Sequence, residues 1–152
     1  GRKYVPHTSF AHRLTYKHRL SMNAYGIDKN KEAINEYKKC IIFEAEKSVL
    51  KMDTIYGNNP SVAVGGSSIS EYQLNLLKTN GCEKVYLAFD REDGEKWENK
   101  LDKICQRIVN FGLECYIIED KEGKYLDLKD SPIDNGQEVF EILLQGARKY
   151  EK

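Results

Sequence analysis

Four short, mainly apolar runs recur along this chain, the first of them rich in β-branched residues, and each is followed by a segment that reads as a helix or closes on one. The runs are Cys40–Phe43, Ser61–Val64, Val85–Phe89 and Leu113–Ile118. Continuous apolar stretches of this length suit strands buried on both faces of a parallel sheet. Ala45–Ile55 reads as the first intervening helix. Ser70 with Gln73 three residues on forms a capping-box pattern that opens a second, carrying Tyr72, Leu74 and Leu77 and stopped by Gly81. From Glu95, the residues Trp97, Leu101, Ile104, Ile108 and Phe111 recur at intervals of three and four, and Gly112 is placed to close that amphipathic helix. A last helix from Gln137 presents Val139, Phe140, Leu143, Leu144 and Ala147. Strand and helix alternating in this way predict an α/β domain with a mostly parallel four-stranded sheet and helices on both faces.

Ahead of the first strand lies a lead-in of different character. Residues 1–27 hold Arg2, Lys3, Arg13, Lys17 and Arg19 and no acid, a net +5; since the whole chain sums to zero, residues 28–152 are −5. His7, His12 and His18 also fall there, at spacings that would not stack them on one helical face, so they are read as solvent-exposed or polyanion-facing. A helix is expected from about Asp28 to Tyr37, carrying Ala33 and Ile34. With 152 residues the chain has room for one compact domain plus this appendage. The absence of a starting methionine reads as an excised fragment, with Gly1 a tag remnant. No apolar stretch reaches the roughly 18 residues a membrane helix needs, and a cytosolic location is expected. Cys40, Cys82, Cys105 and Cys115 offer neither a C-x-x-C pair nor a zinc spacing; free buried thiols are expected for Cys40, Cys105 and Cys115.

In open α/β sheets, ligands bind at the carboxyl ends of the strands. At those ends this sequence places Glu44, then Gly65-Gly66-Ser67-Ser68, then Asp90, Glu92 and Asp93, with Asp127, Asp130 and Asp134 in the loop before the last helix. Crowded carboxylates repel one another, and a bound cation relieves them. Oxygen-only ligands suit Mg²⁺ or Mn²⁺, and one or two such ions can stabilise both oxygens of a phosphoryl transfer. The plainer alternative is helix capping, by Asp93 for the helix of Trp97 and by Asp134 or Asn135 for the last. A nucleotide-binding domain using Gly65-Gly66 as its phosphate loop lacks both G-x-G-x-x-G and G-x-x-x-x-G-K-[ST]. The ten tyrosines could serve as stacking platforms for single strands, yet their scatter is explained mostly by packing.

The ordered segments Ile41-Ile42-Phe43-Glu44-Ala45-Glu46-Lys47-Ser48, Val62-Ala63-Val64-Gly65-Gly66-Ser67-Ser68 and Leu87-Ala88-Phe89-Asp90-Arg91-Glu92-Asp93-Gly94 resemble the TOPRIM domain of primases, topoisomerases and related nucleases. The lead-in around Tyr25-Gly26 and Lys31–Ile34, together with Lys129–Gly136 before Val139-Phe140, resembles the bacterial and phage primase branch. The resemblance runs from Lys17 to Tyr150. It implies a TOPRIM-type, Rossmann-like fold over residues 39–152, with residues 1–38 as the tail of a primase amino-terminal catalytic subdomain and its linking helix.

Carried over residue by residue, Glu44 matches the family's acid/base or metal-positioning glutamate. Asp90 and Glu92 fall on the paired metal ligands, Asp93 being the alternative to Glu92, and Asp130 falls on a further acidic position. Gly65, Gly66 and Ser67 match the small loop close to phosphate, and Lys17 and Arg19 are read as template or nucleotide contacts in the parent protein or, equally, as solvated surface. Three positions depart from the family pattern: Ala45 replaces a glycine, Ser48 an acid, and Glu92 the second aspartate. The implied activity is synthesis of RNA primers on single-stranded DNA by Mg²⁺- or Mn²⁺-dependent nucleotidyl transfer, with nucleoside triphosphates as substrates. The implied partners are a replicative helicase, fused or separate, and the zinc-binding and basic subdomains of a longer chain. Without those subdomains, the fragment is expected to be inactive alone. A TOPRIM-type metal-dependent nuclease or nucleic-acid-binding module is the alternative.

Overall fold

The computed structural model describes residues 24–151; Lys17, Arg19 and the three histidines lie outside them. In chain order the elements are α1 (Ile27–Tyr37), β1 (Lys39–Phe43), α2 (Glu46–Tyr56), β2 (Ser61–Ala63), α3 (Glu71–Thr79), β3 (Lys84–Ala88), α4 (Glu95–Asn110), β4 (Glu114–Ile117), α5 (Gln137–Gln145) and β5 (Arg148–Lys149). The strands lie in the order β2-β1-β3-β4-β5. β1 pairs in parallel with both β2 and β3, and β3 pairs in parallel with β4. The sheet is therefore the expected mostly parallel one with a fifth strand added, since β5 runs antiparallel to β4 through Tyr116↔Lys149 and Ile117↔Arg148. Two charged residues carry no readable period, which is why this strand has no signal in the sequence.

Alternation along β1 divides the core, because successive side chains leave a strand on opposite faces. Cys40 and Ile42 join Val62, Val85, Leu87 and Cys115 against Leu74 and Leu77 of α3 and Leu101, Ile104 and Ile108 of α4. Ile41 and Phe43 join Ala63 and Ala88 against Val49 and Met52 of α2 and Phe140 and Leu143 of α5. Helices thus cover both faces, as expected. All four cysteines are free and buried, Cys82 among them. Among the described residues, no helix is long and apolar enough to cross a membrane.

The capping box at α3 is present in full. The Ser70 hydroxyl accepts from the Gln73 N–H at 3.0 Å, and the Gln73 side chain accepts from the Ser70 N–H at 2.9 Å. Ser70→Ala removes one half of that reciprocal pair and is expected to cost about 1 kcal/mol. Urea unfolding would show it as a lower midpoint with an unchanged slope. The other two capping expectations are corrected: α4 and α5 are preceded by Gly94 and Gly136, neither with a side-chain cap. The glycines stand at φ of +96° and +102°, conformations that an aspartate or asparagine cap does not adopt.

The β2 margin of the sheet is closed locally. Tyr25 bridges Ala63 antiparallel, its N–H donating to the Ala63 carbonyl at 2.8 Å and its carbonyl accepting from Ala63 at 3.0 Å. The Asn30 amide donates to the Ser61 carbonyl at 3.0 Å, and the Ser61 N–H donates to Asn59 Oδ1 at 3.1 Å.

Candidate metal and nucleotide site

The connection from β1 runs to β2 on one side, and the chain then returns to lay β3 on the other side of β1. The carboxyl ends of β1 and β3 therefore meet at a topological switch point, where open α/β sheets bind ligands. Glu44 stands just beyond the first end and Asp90 just beyond the second. The backbone N–H of Asp90 donates to Glu44 Oε2 at 2.9 Å. The loop after β2 is tied to the same place, since Gly65 N–H donates to the Glu44 carbonyl at 2.9 Å. Gly65 sits at φ +88°, which lets the Gly-Gly turn leave the strand sharply. Tyr25, Glu44, Glu46, Gly65, Gly66 and Asp90 enclose a cleft of about 200 Å³.

This cleft is unfavourable to its own charges. Burial pushes the Asp90 carboxyl up to about 6, helped by Glu44, Asp134 and Glu92 and opposed by Lys47. Burial also raises Glu44; the Asp90 N–H pulls it back, Glu92 raises it further, and Lys100 and Lys129 lower it. Lys100 reaches the loop after β2 as well, its ammonium donating to the Ser67 hydroxyl at 2.6 Å. Seven residues further along α4, Arg107 donates to the Ile69 carbonyl at 2.6 Å, so the helix edge and the loop lie side by side.

Glu92 is half-buried, and its Oε2 receives the Lys129 ammonium. Asp93 is exposed. Of these two acids, it is Glu92 whose charge acts on both Glu44 and Asp90. Between them Arg91 turns away, donating to the Asp120 and Leu126 carbonyls at 3.0 and 3.1 Å. Asp120 orders that loop by accepting the backbone N–H groups of Lys124, Tyr125 and Leu126. Asp130 braces its own turn: its Oδ2 accepts the Asp127 N–H at 2.9 Å and its carbonyl accepts the Arg91 N–H at 2.8 Å. The acid of this loop whose charge weighs on Asp90 is Asp134. Burial works to raise Asp134, but Lys51 at 2.8 Å and the Ser131 N–H hold it below the usual carboxylate range. Ser48, at the position where the family pattern has an acid, is buried and donates to the Ser131 hydroxyl at 2.9 Å.

Sequence reasoning overlooked the lysines Lys47, Lys100 and Lys129, because 24 cations spread along a chain carry no positional signal. It also overlooked Glu46, a buried residue whose Oε2 has no hydrogen-bond partner. Its spacing of two from Glu44 was the available hint.

Among the described residues, no group of three or more His, Cys, Asp or Glu stands ready to hold a metal. The donor chemistry nevertheless fits a hard divalent ion. All donors are oxygens, and Mg²⁺ is commonly held by one or two carboxylates with waters and substrate phosphates. Glu44 and Asp90 supply such a pair, both pushed toward protonation in its absence.

No family profile matches the chain. Among solved structures, the Aquifex aeolicus primase (zinc-binding and RNA polymerase domains) superposes with a TM-score of 0.66 at 22% identity, over 84% of this chain and 30% of that one. The fold is that of primase catalytic cores. A DnaG primase catalytic domain bound to single-stranded DNA gives a TM-score of 0.60 at 17% identity, over 86% of this chain and 41% of that one. Among curated sequences, an SPbeta prophage-derived uncharacterized protein, YorJ, of Bacillus subtilis (strain 168) is 38% identical over 159 residues, covering 95% of this chain and 41% of that protein. A DNA primase of Chlamydia trachomatis is 25% identical over 123 residues, covering 80% of this chain and 20% of that protein. The chain thus spans less than half the length of the curated relatives it matches.

Proposed function

We propose that this chain is the metal-binding TOPRIM part of a DNA primase, serving Mg²⁺- or Mn²⁺-dependent nucleotidyl transfer that makes RNA primers on single-stranded DNA. The observation that carries the reading is the Glu44–Asp90 pair at the switch point, joined by a 2.9 Å hydrogen bond, with Asp90 pushed up to about 6. A cation bound there supplies charge stabilisation to the attacking and leaving oxygens of phosphoryl transfer.

The chain's own residues do the rest. Glu44 stands as acid/base or positioning group, held by the Asp90 N–H. Asp90 and Glu92 offer ligating oxygens, and Asp134 adds negative field from beyond. Asp130 serves indirectly, by fixing Arg91 and hence the spacing of Asp90 and Glu92. Gly65 and Gly66 allow close approach of a phosphate, with Ser67 and Lys100 at its rim. On this reading a template strand, nucleoside triphosphates, the zinc-binding and basic subdomains and a replicative helicase are the partners, and residues 39–152 form the TOPRIM unit. The solved primase core that carries single-stranded DNA supports the template as partner.

Calorimetric titration with Mn²⁺ tests the proposal. Saturable binding at or below about millimolar concentration is expected, weakened about tenfold by Glu44→Gln. On a single-stranded template with nucleoside triphosphates, the chain alone is expected to yield no primers. Plasmid nicking with Mn²⁺ that Asp90→Asn abolishes would move the assignment to a nuclease. Absence of Mn²⁺ binding by a folded sample would overturn it.

A further inference from the structure

Lys129 occupies an unusual place for an exposed lysine. Its backbone lies at φ +75°, in the left-handed region that non-glycine residues enter at a free-energy cost. Such strain persists where the surroundings over-determine it, and it gathers at functional sites. Here two cross-loop hydrogen bonds impose it: Lys129 N–H donates to the Arg91 carbonyl at 2.7 Å, and Arg91 N–H donates to the Asp130 carbonyl at 2.8 Å. The loop after β4 is thereby zipped to the loop after β3, and the ammonium falls on Glu92.

The ammonium therefore occupies a carboxylate that a divalent cation would need. A divalent cation ligated by Glu92 Oε2 competes with the ammonium for that oxygen and repels it. The Lys129 side chain is 72% exposed, with solvent on the side away from Glu92. Once displaced it remains beside an acidic centre, as a free cation able to meet anionic oxygens. Lys100, on Ser67, marks the opposite rim. We infer that Lys129 is a resident counter-ion of the site: it leaves Glu92 when a divalent cation binds and takes hold of the polyphosphate of an incoming nucleotide. The inference rests on the metal site proposed above.

The test is a pair of titrations on the full chain and on Lys129→Asn, asparagine being a residue that tolerates left-handed backbone. Mn²⁺ is titrated first, then ATP and inorganic tripolyphosphate at saturating Mn²⁺. Lys129→Asn is expected to bind Mn²⁺ about three- to fivefold more tightly and both polyphosphates about tenfold more weakly. A merely structural lysine would not shift the two affinities in opposite directions. Lys129→Arg should restore polyphosphate binding, and Lys129→Gly, which relieves the backbone, should repeat the asparagine result if the latter folds poorly. Shifts of the same sign, or none, overturn the inference while a loss of Mn²⁺ binding in Asp90→Asn leaves the metal site standing. Mn²⁺ binding untouched by Asp90→Asn overturns both.

Discussion

Asp90→Asn is expected to weaken Mn²⁺ binding about a hundredfold and, in the same molecule, to stabilise the ligand-free fold by about 1 kcal/mol. Both effects come from one cause. The Asp90 carboxyl is pushed from an ordinary 3.8 up to about 6, chiefly by burial and then by Glu44. An acid raised in the native state means that the native state binds more protons than the unfolded one between those two values. Stability therefore falls as pH rises from about 4 to about 6 and is level above. Asparagine has no charge to bury, keeps the N–H that Glu44 accepts, and should abolish that part of the pH dependence. The 1 kcal/mol figure is well below the full shift because the group is only half-buried and water screens it. For the unmutated chain, Mn²⁺ has to displace a proton below about pH 6, so its affinity should climb steeply between pH 5 and 6 and flatten near 7. Calorimetry across that range, with urea unfolding of both proteins, checks all three statements. An Asp90→Asn variant that is less stable and still binds Mn²⁺ would remove Asp90 from the site.

Phe43→Ala is expected to cost about 3–5 kcal/mol of stability. Phe43 is fully buried, and its ring lies 6.1 Å from that of Phe140, which in turn lies 6.4 Å from Tyr56. This row joins β1 to α5 and α2 across one face of the sheet. Truncation leaves a void that strands on both sides of β1 prevent from collapsing, so the loss combines transfer and cavity terms. In thermal melts the shift should be on the order of 10 °C. Phe43→Leu, which refills most of the void, should recover more than half of it. A loss below about 1 kcal/mol for the alanine variant would mean that β1 is not packed as described. Since Phe43 directly precedes Glu44, the leucine variant also reports whether repacking beneath the site disturbs Mn²⁺ binding.

What was legible in the sequence is what repeats. The first strand announces itself as an unbroken apolar run because a central parallel strand buries both faces, and α4 does so through Trp97, Leu101, Ile104 and Ile108 at helical spacing. Glu44, Asp90 and Glu92 were legible for a related reason: each follows a strand end, so locating the strand locates the acid. Asp130 and Asp134 were visible as loop acids, but a loop without a period does not tell which carboxylate turns inward. The backbone decides that through the Asp127 N–H, which occupies Asp130, and the Ser131 N–H with Lys51, which hold Asp134. Lys129 was beyond reach for the same reason. Its place depends on hydrogen bonds between loops 38 residues apart in the chain, Arg91 and Lys129. β5 exists only because β4 offers it a ladder.

The saturated outer side of β2 bears on how this chain behaves among its own copies. An exposed strand edge is a template on which a second chain can build a cross-strand ladder, the first step of ordered aggregation. At this margin Ser61 and Ala63 already spend their outward N–H and C=O groups on Asn59, Asn30 and Tyr25. A neighbouring molecule could pair there only by first stripping those partners away. At the far margin β5 is only two residues long, Arg148 and Lys149, and both side chains are paired with acids, Glu119 and Glu114. The sheet is thus guarded at one end by occupied hydrogen bonds and at the other by the shortness of a charged edge strand, and concentrated solutions should favour separate molecules over fibres.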